Sequence, residues 1–174
     1  FVKPRFGAGS INTMGVRTKR LLEALMEEAE TELVVQPRMS GNEYGVDVYV
    51  DTISGEVVAW FCKEKLRMRA GETEKSKSVK NDQIKDLVFK AVSFLQLRGP
   101  LDVDVMEQDG EYFILEINPR FGGGYPHAYE CGVSFPKCIA CNARKESNPV
   151  CLDAYQEDTV AMKFSDIIVR ETDD

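Results

Sequence analysis

The chain has 174 residues, 43% of them hydrophobic and 29% charged, with a formal net charge of −7 at pH 7. That is about one domain of chain with enough apolar material for a core, and its acidic balance argues against a nucleic-acid partner, because phosphate backbones select basic surfaces. No apolar run approaches the roughly 20 residues of a membrane helix, no signal peptide is visible, and the odd cysteine set (Cys62, Cys131, Cys138, Cys141, Cys151) lacks framework spacing, which points to free thiols in a reducing, cytoplasmic compartment.

The chain opens at Phe1 inside a strand-like run, so a preceding segment is expected. Residues 1–3 read as the end of a strand and residues 4–15 (PRFGAGSINTMG) as a glycine-bearing loop. Over residues 16–31, Val16, Leu21, Leu22, Leu25 and Met26 recur at helical spacing. Residues 32–37 (ELVVQP) form a short apolar strand stopped by proline. Residues 43–50 (EYGVDVYV), the turn 51–55 and the strand EVVAWFCKEKL make a β-hairpin. Residues 67–81 are charged and turn-rich, and read as an exposed loop.

Residues 82–97 form an amphipathic helix, with Asp82 as its N-cap and Gly99 just past its end. PLDVDVM and EYFILEIN are strands joined by the tight turn Asp109-Gly110. A second glycine loop follows at 121–126, then a helix within 127–144, and one or two closing strands within 157–169. The expected fold is α+β, an antiparallel sheet with helices on one side. Two parts are expected, 1–42 and 43–174.

Cys138 and Cys141 form a C-x-x-C inside SFPKCIACNARK, a helix-like segment where residues i and i+3 share a face. A zinc site needs a second ligand pair, and only Cys151 and the sole histidine, His127, are on offer. Buried thiols are the expectation there, and His127 is expected to be structural.

Chemistry concentrates in GPLDVDVMEQDGEYFILEINPRFGGG, residues 99–124. Glu116 and Asn118 are two apart on one strand, so they share a face, and Asp104 projects onto it from across the hairpin. Carboxylates do not gather on a face that also holds Ile114 and Tyr112 without a neutralising partner. Hard oxygen ligands suit Mg²⁺, which bridges one or two carboxylates to phosphates. Arg120 follows at once, with a guanidinium suited to a phosphoryl or carboxylate group.

LEINPRFGGG resembles the C-terminal metal-binding signature of the ATP-grasp superfamily, particularly its carbamoyl-phosphate-synthase-like branch. The resemblance extends over most of the chain and implies an ATP-grasp fold without the N-terminal domain. It assigns Asp104, Glu116 and Asn118 to Mg²⁺, with Mn²⁺ as an alternative, and makes Arg120 and Lys3 catalytic. Lys3, with Gly7, Gly9 and Ser10 of the first glycine loop, matches the family's phosphate-binding lysine and loop. Gln36 and Pro37 match the adenine hinge, and Glu43 the ribose ligand. Arg67 and Arg69 are further phosphate or substrate contacts, with Lys63 and Lys65 weaker candidates. The implied activity is ATP-dependent ligation of a small carboxylate to an amine or ammonia through an acyl phosphate, with a homodimer kept open. A nucleotide-binding module without turnover is the alternative.

Overall fold

The computed structural model describes residues 1–7, 11–69, 71–164 and 167–170. Gly9 and Ser10 therefore lie outside the described residues. The chain divides into two compact units, Phe1–Gly41 and Asn42–Asp174.

In the first unit, β1 (Val2–Pro4) pairs antiparallel with β2 (Leu33–Val35), placing Lys3 opposite Val34. Between them runs α1 (Lys19–Glu27). It is shorter than the apolar spacing predicts, because the Thr18 hydroxyl accepts the Leu21 N–H at 3.2 Å and starts the helix there.

The second unit is a six-stranded antiparallel sheet. Its strands are β3 (Glu43–Val50), β4 (Val57–Arg69), β5 (Glu72–Ser78), β6 (Gly99–Gln108), β7 (Glu111–Asn118) and β8 (Val160–Met162), in the order β7-β6-β3-β4-β5-β8. The stretch expected as a loop at 67–81 is the end of β4 and all of β5. Its charges misled because they alternate with small hydroxyls: Thr73, Ser76 and Ser78 are buried while Arg67 and Arg69 reach out to Glu74. Among the described residues one closing strand, β8, lies in the stretch where one or two are expected.

Helices cover both faces of this sheet rather than one. On one face α2 (Asp82–Phe94) buries Ile84, Val88 and Val92, spaced one helical turn apart, and Phe89 meets Trp60 edge-on at 5.9 Å. The cap of α2 is Asn81, whose side chain accepts the Ile84 N–H at 3.1 Å; Asp82 lies in the first turn. Gln96 (φ 53°) is the left-handed residue just past the helix end, and Gly99 (φ 81°) follows where β6 begins. On the other face lie α3 (Tyr125–Glu130) and α4 (Phe135–Ala143), split by Gly132 (φ 94°). There Tyr49 packs on Phe135 at 5.5 Å and Phe61 on His127 at 4.9 Å. Neighbouring Trp60 and Phe61 point oppositely because strand side chains alternate.

Beyond the end of β5, the open edge of β4 is closed by the 151–155 segment. Trp60 Nε1 donates to the Leu152 carbonyl (2.9 Å) and the Cys62 N–H to the Tyr155 hydroxyl (3.2 Å). The five cysteines are free. Only Cys62 is fully buried, its thiol pushed up to about 12 mainly by burial, whereas Cys138 and Cys141 are half-buried on α4 and Cys151 is exposed.

Candidate functional site

Asp109 (φ 56°) and Gly110 (φ 83°) both take the left-handed conformation of a tight hairpin turn, which fixes the pairing of β6 with β7. In that register Asp104 stands directly opposite Glu116, and Asp102 opposite Asn118. The Asn118 amide donates to Glu116 Oε1 at 3.1 Å. The predicted carboxylate–amide set therefore meets on one face.

Its surroundings differ from the expectation. The register shifts between Asp104 and Val105, so that Ile114 pairs with Val105 and Leu115 is the extra residue. This bulge turns Ile114 and Tyr112 to the α2 side, where the Tyr112 hydroxyl accepts from Asn81 (2.8 Å). The neighbours of the metal-type residues are charges, not those apolar side chains.

The polar side chains come from four adjacent strands: Glu116 and Asn118 on β7, Asp102 and Asp104 on β6, and Lys63 and Lys65 on β4, each pair two apart, with Glu43 and Asp47 on β3 four apart across Gly45. Lys65 Nζ lies 2.7 Å from Glu43 Oε1 and 2.6 Å from Asp104 Oδ1. Lys63 is paired with Asp47, both buried. Arg120 turns back after β7, its N–H donating to the Asn118 carbonyl (2.8 Å), and its guanidinium meets Asp102 Oδ2 at 2.5 Å.

Electrostatics follow from burial. The Lys65 ammonium is opposed by burial, but the charge and hydrogen bonds of Asp104 and Glu43 outweigh it and hold its pKa above the ordinary lysine range. Asp104 is raised above the usual carboxylate range, because burial and the charges of Asp102 and Glu43 outweigh Lys65. Burial, with the charge of Asp102, raises Asp47 despite Lys63.

Three glycines make room for this network. A Cβ on Gly45 would come within 3.2 Å of Lys63 Cε and 3.3 Å of Lys65 Cε. One on Gly122 would stand 2.5 Å from Asp102 Oδ1, and one on Gly124 would stand 2.7 Å from Lys63 Cε. The second glycine loop is thus a lid of bare backbone over two charged side chains.

The remaining candidates fall elsewhere. Arg67 and Arg69 sit at the exposed end of β4, 2.6 Å and 3.4 Å from Glu74 oxygens. Lys3 is half-buried on β1, and Gly7 is exposed just past the bend that follows β1. The Gln36 N–H donates to the Phe1 carbonyl at 2.9 Å, and Pro37 is exposed beyond β2. Asp47 and Asp102, not singled out in the sequence, join this face, and Lys63 and Lys65 lie among its carboxylates. The signal was available: polar residues recur at even spacing on three strands, and at twice that spacing, across Gly45, on a fourth.

Among the described residues no cluster of three or more His, Cys, Asp or Glu is arranged to hold a metal. The Asp104–Glu116–Asn118 set has two carboxylates and one amide. It is fit for a cation that keeps its waters and leans on phosphates, not for a closed protein cage.

The family model for the ATP-grasp domain matches residues 1–124. The chain belongs to the ATP-grasp family. A search of curated protein sequences finds no match. Among solved structures, the chain resembles the biotin carboxylase domain of 2-oxoglutarate carboxylase from Hydrogenobacter thermophilus, in complex with MgADP and bicarbonate. That match has TM-score 0.73 and 16% identity, over 91% of this chain and 39% of that one. It also resembles N5-carboxyaminoimidazole synthetase from Staphylococcus aureus complexed with ADP (TM-score 0.69, 16% identity, 92% and 43% covered). A third is L-amino acid ligase from Bacillus licheniformis (TM-score 0.61, 21% identity, 85% and 39% covered). At these identities the likeness is one of fold, and the chain spans less than half of each. No helix among the described residues is long and apolar enough to cross a membrane.

Proposed function

We propose that this ATP-grasp chain carries the nucleotide- and metal-binding part of an ATP-dependent carboxylate–amine ligase of the carbamoyl-phosphate-synthase-like kind. The observation that carries the reading is the placement of Asp104 against Glu116, with Asn118 beside them and Arg120 two residues on.

In this reading Asp104, Glu116 and Asn118 hold Mg²⁺, or Mn²⁺ in its place, which supplies charge neutralisation for the ATP phosphates. Lys3 adds a point charge to those phosphates, and backbone N–H groups of the loop containing Gly7, Gly9 and Ser10 approach them closely. Gln36 and Pro37 flank the adenine edge, and Glu43 accepts the ribose hydroxyls. Arg120 orients the substrate carboxylate or the transferring phosphoryl group through its paired N–H donors. Arg67 and Arg69 are further anion contacts.

A carboxylate oxygen of the substrate attacks the γ-phosphorus and ADP departs. The amine or ammonia then attacks the acyl carbon and releases phosphate. This chemistry is dominated by positioning and electrostatics. It needs no enzyme nucleophile, so the free cysteines have no role in it.

Calorimetric titration of a non-hydrolysable ATP analogue, with and without Mg²⁺, tests the reading. Binding that needs Mg²⁺ and disappears in Glu116→Ala, Asn118→Ala is expected. Binding indifferent to both the metal and the double substitution would refute the assigned site.

A further inference from the structure

Lys65 reaches across a strand to its acidic partners. It starts on β4, passes over β3, and holds Asp104 on β6 as well as Glu43 on β3. The path is open because Gly45, opposite Asp104 in the register, has no side chain, and a Cβ there would press on Lys65 at 3.3 Å. The lysine is almost fully enclosed, with 7% of its side chain exposed.

Enclosing a charge costs free energy, and an apolar residue would close this face at lower cost. A cation at this point answers to something other than packing. Its two acidic partners belong, in the reading above, to different ligands: Glu43 to the nucleotide and Asp104 to the divalent cation.

We propose that Lys65 is a resident counter-ion, holding Asp104 in place of the divalent cation and yielding it when that cation binds, so that cation and phosphate binding are coupled through one side chain. The inference rests on the metal-site reading of Asp104, Glu116 and Asn118. Lys65 and a divalent cation compete for the same carboxylate, and their like charges at a few ångströms repel. Lys65 therefore opposes the cation when it comes alone. Freed from Asp104 but still tethered by Glu43, the ammonium becomes available to the anionic ligand that arrives with the cation. It is a positioning residue, and its signature is linkage: it weakens the bare cation and strengthens the cation–nucleotide pair.

Mn²⁺ titrations at fixed ionic strength, read by electron paramagnetic resonance with and without ADP, test this on the parent chain, Lys65→Met and Lys65→Arg. Lys65→Met is expected to bind Mn²⁺ at least about tenfold more tightly without ADP, and to gain less Mn²⁺ affinity from ADP than the parent does. Lys65→Arg, which keeps the charge, is expected to behave as the parent. Thermal unfolding reports whether each variant is folded, and Lys65→Gln serves if the methionine variant is not. Unchanged or weaker Mn²⁺ affinity in the uncharged variants, or undiminished coupling to ADP, would overturn the proposal. If parent binding is lost in Glu116→Ala but indifferent to Lys65, the proposal falls and the site stands. No Mn²⁺ binding by parent or variant would remove the site and the proposal together.

Discussion

The Lys63 ammonium rests on the Asp47 carboxylate in the interior of the sheet's charged face, with 2% and 1% of the two side chains exposed. Asp47 Oδ1 has no hydrogen-bond partner among the described residues. An enclosed pair of this kind adds little net stability, but losing one member strands the other charge. Asp47→Ala is expected to cost about 3–5 kcal/mol, measured by urea unfolding. Replacing both, as Asp47→Leu with Lys63→Met, should recover most of that loss. Strictly additive costs in the double variant would show that the two charges do not depend on each other.

The same pair sets how the glycine loop responds to substitution. Gly124→Ala drives a methyl group to 2.7 Å from Lys63 Cε, and Asp47 leaves that lysine nowhere to move. A loss of about 1–3 kcal/mol is expected. Gly122→Ala meets Asp102 at 2.5 Å and should loosen Arg120, weakening nucleotide binding more than stability. Gly123→Ala has nothing nearer than 3.7 Å and should lie within about 0.5 kcal/mol of the parent. Chemical unfolding and calorimetry on the three variants check this order. An equal response at all three positions would contradict it.

These contacts mark what the sequence makes legible and what it hides. Asp104, Glu116 and Asn118 could be placed on one face from spacing alone, because a two-residue hairpin turn fixes the register. Their neighbours could not, because the bulge at Leu115 moves Tyr112 and Ile114 to the other face. Lys63 and Lys65 read as surface charge, since their acidic partners lie on strands 16 and 39 residues away in sequence. The strand at 72–78 was hidden because its buried positions carry the small polar residues Thr73, Ser76 and Ser78; the Ser76 and Ser78 hydroxyls meet tertiary partners. Ser78 Oγ, for one, donates to the Gln156 carbonyl at 2.7 Å.

His127 offers a direct measure of the interior beside Lys63. Its Nδ1 is 2.9 Å from Ser76 Oγ, and its Nε2 is buried with no hydrogen-bond partner among the described residues. Burial first, then the charge of Lys63, pushes its pKa down to about 4, and the Thr159 backbone offsets this only in part. An imidazole depressed in the folded state favours folding above the ordinary value near 6.5. That contribution declines as pH falls from about 6.5 to about 4. As the chain has one histidine, its imidazole NMR signal is unambiguous. Titration near 6.5 instead of near 4 would show that the ring is not enclosed.

Asp51 at the end of β3 should dominate behaviour at still lower pH. Its carboxylate accepts the N–H groups of Ile53 (2.9 Å), Ser54 (2.8 Å) and Asn148 (2.7 Å), and the side-chain amides of Asn142 (2.8 Å) and Asn148 (2.7 Å). It thereby ties the β3–β4 turn to α4 and to the segment that follows. Burial alone would raise its pKa, but the Asn148 and Ser54 backbone bonds and the two amides outweigh burial and hold it well below the carboxylate range. A depressed carboxylate stabilises the fold above its ordinary pKa near 4, and the contribution is lost as pH falls through the depressed folded value. Asp51→Ala should therefore cost about 3 kcal/mol at pH 7, since it orphans several part-buried donors at once. It should also flatten the acid limb of the stability–pH curve below about pH 4. Thermal unfolding of parent and variant from pH 7 to pH 2.5 measures both effects. An unchanged acid limb in the variant would mean that another carboxylate controls acid unfolding.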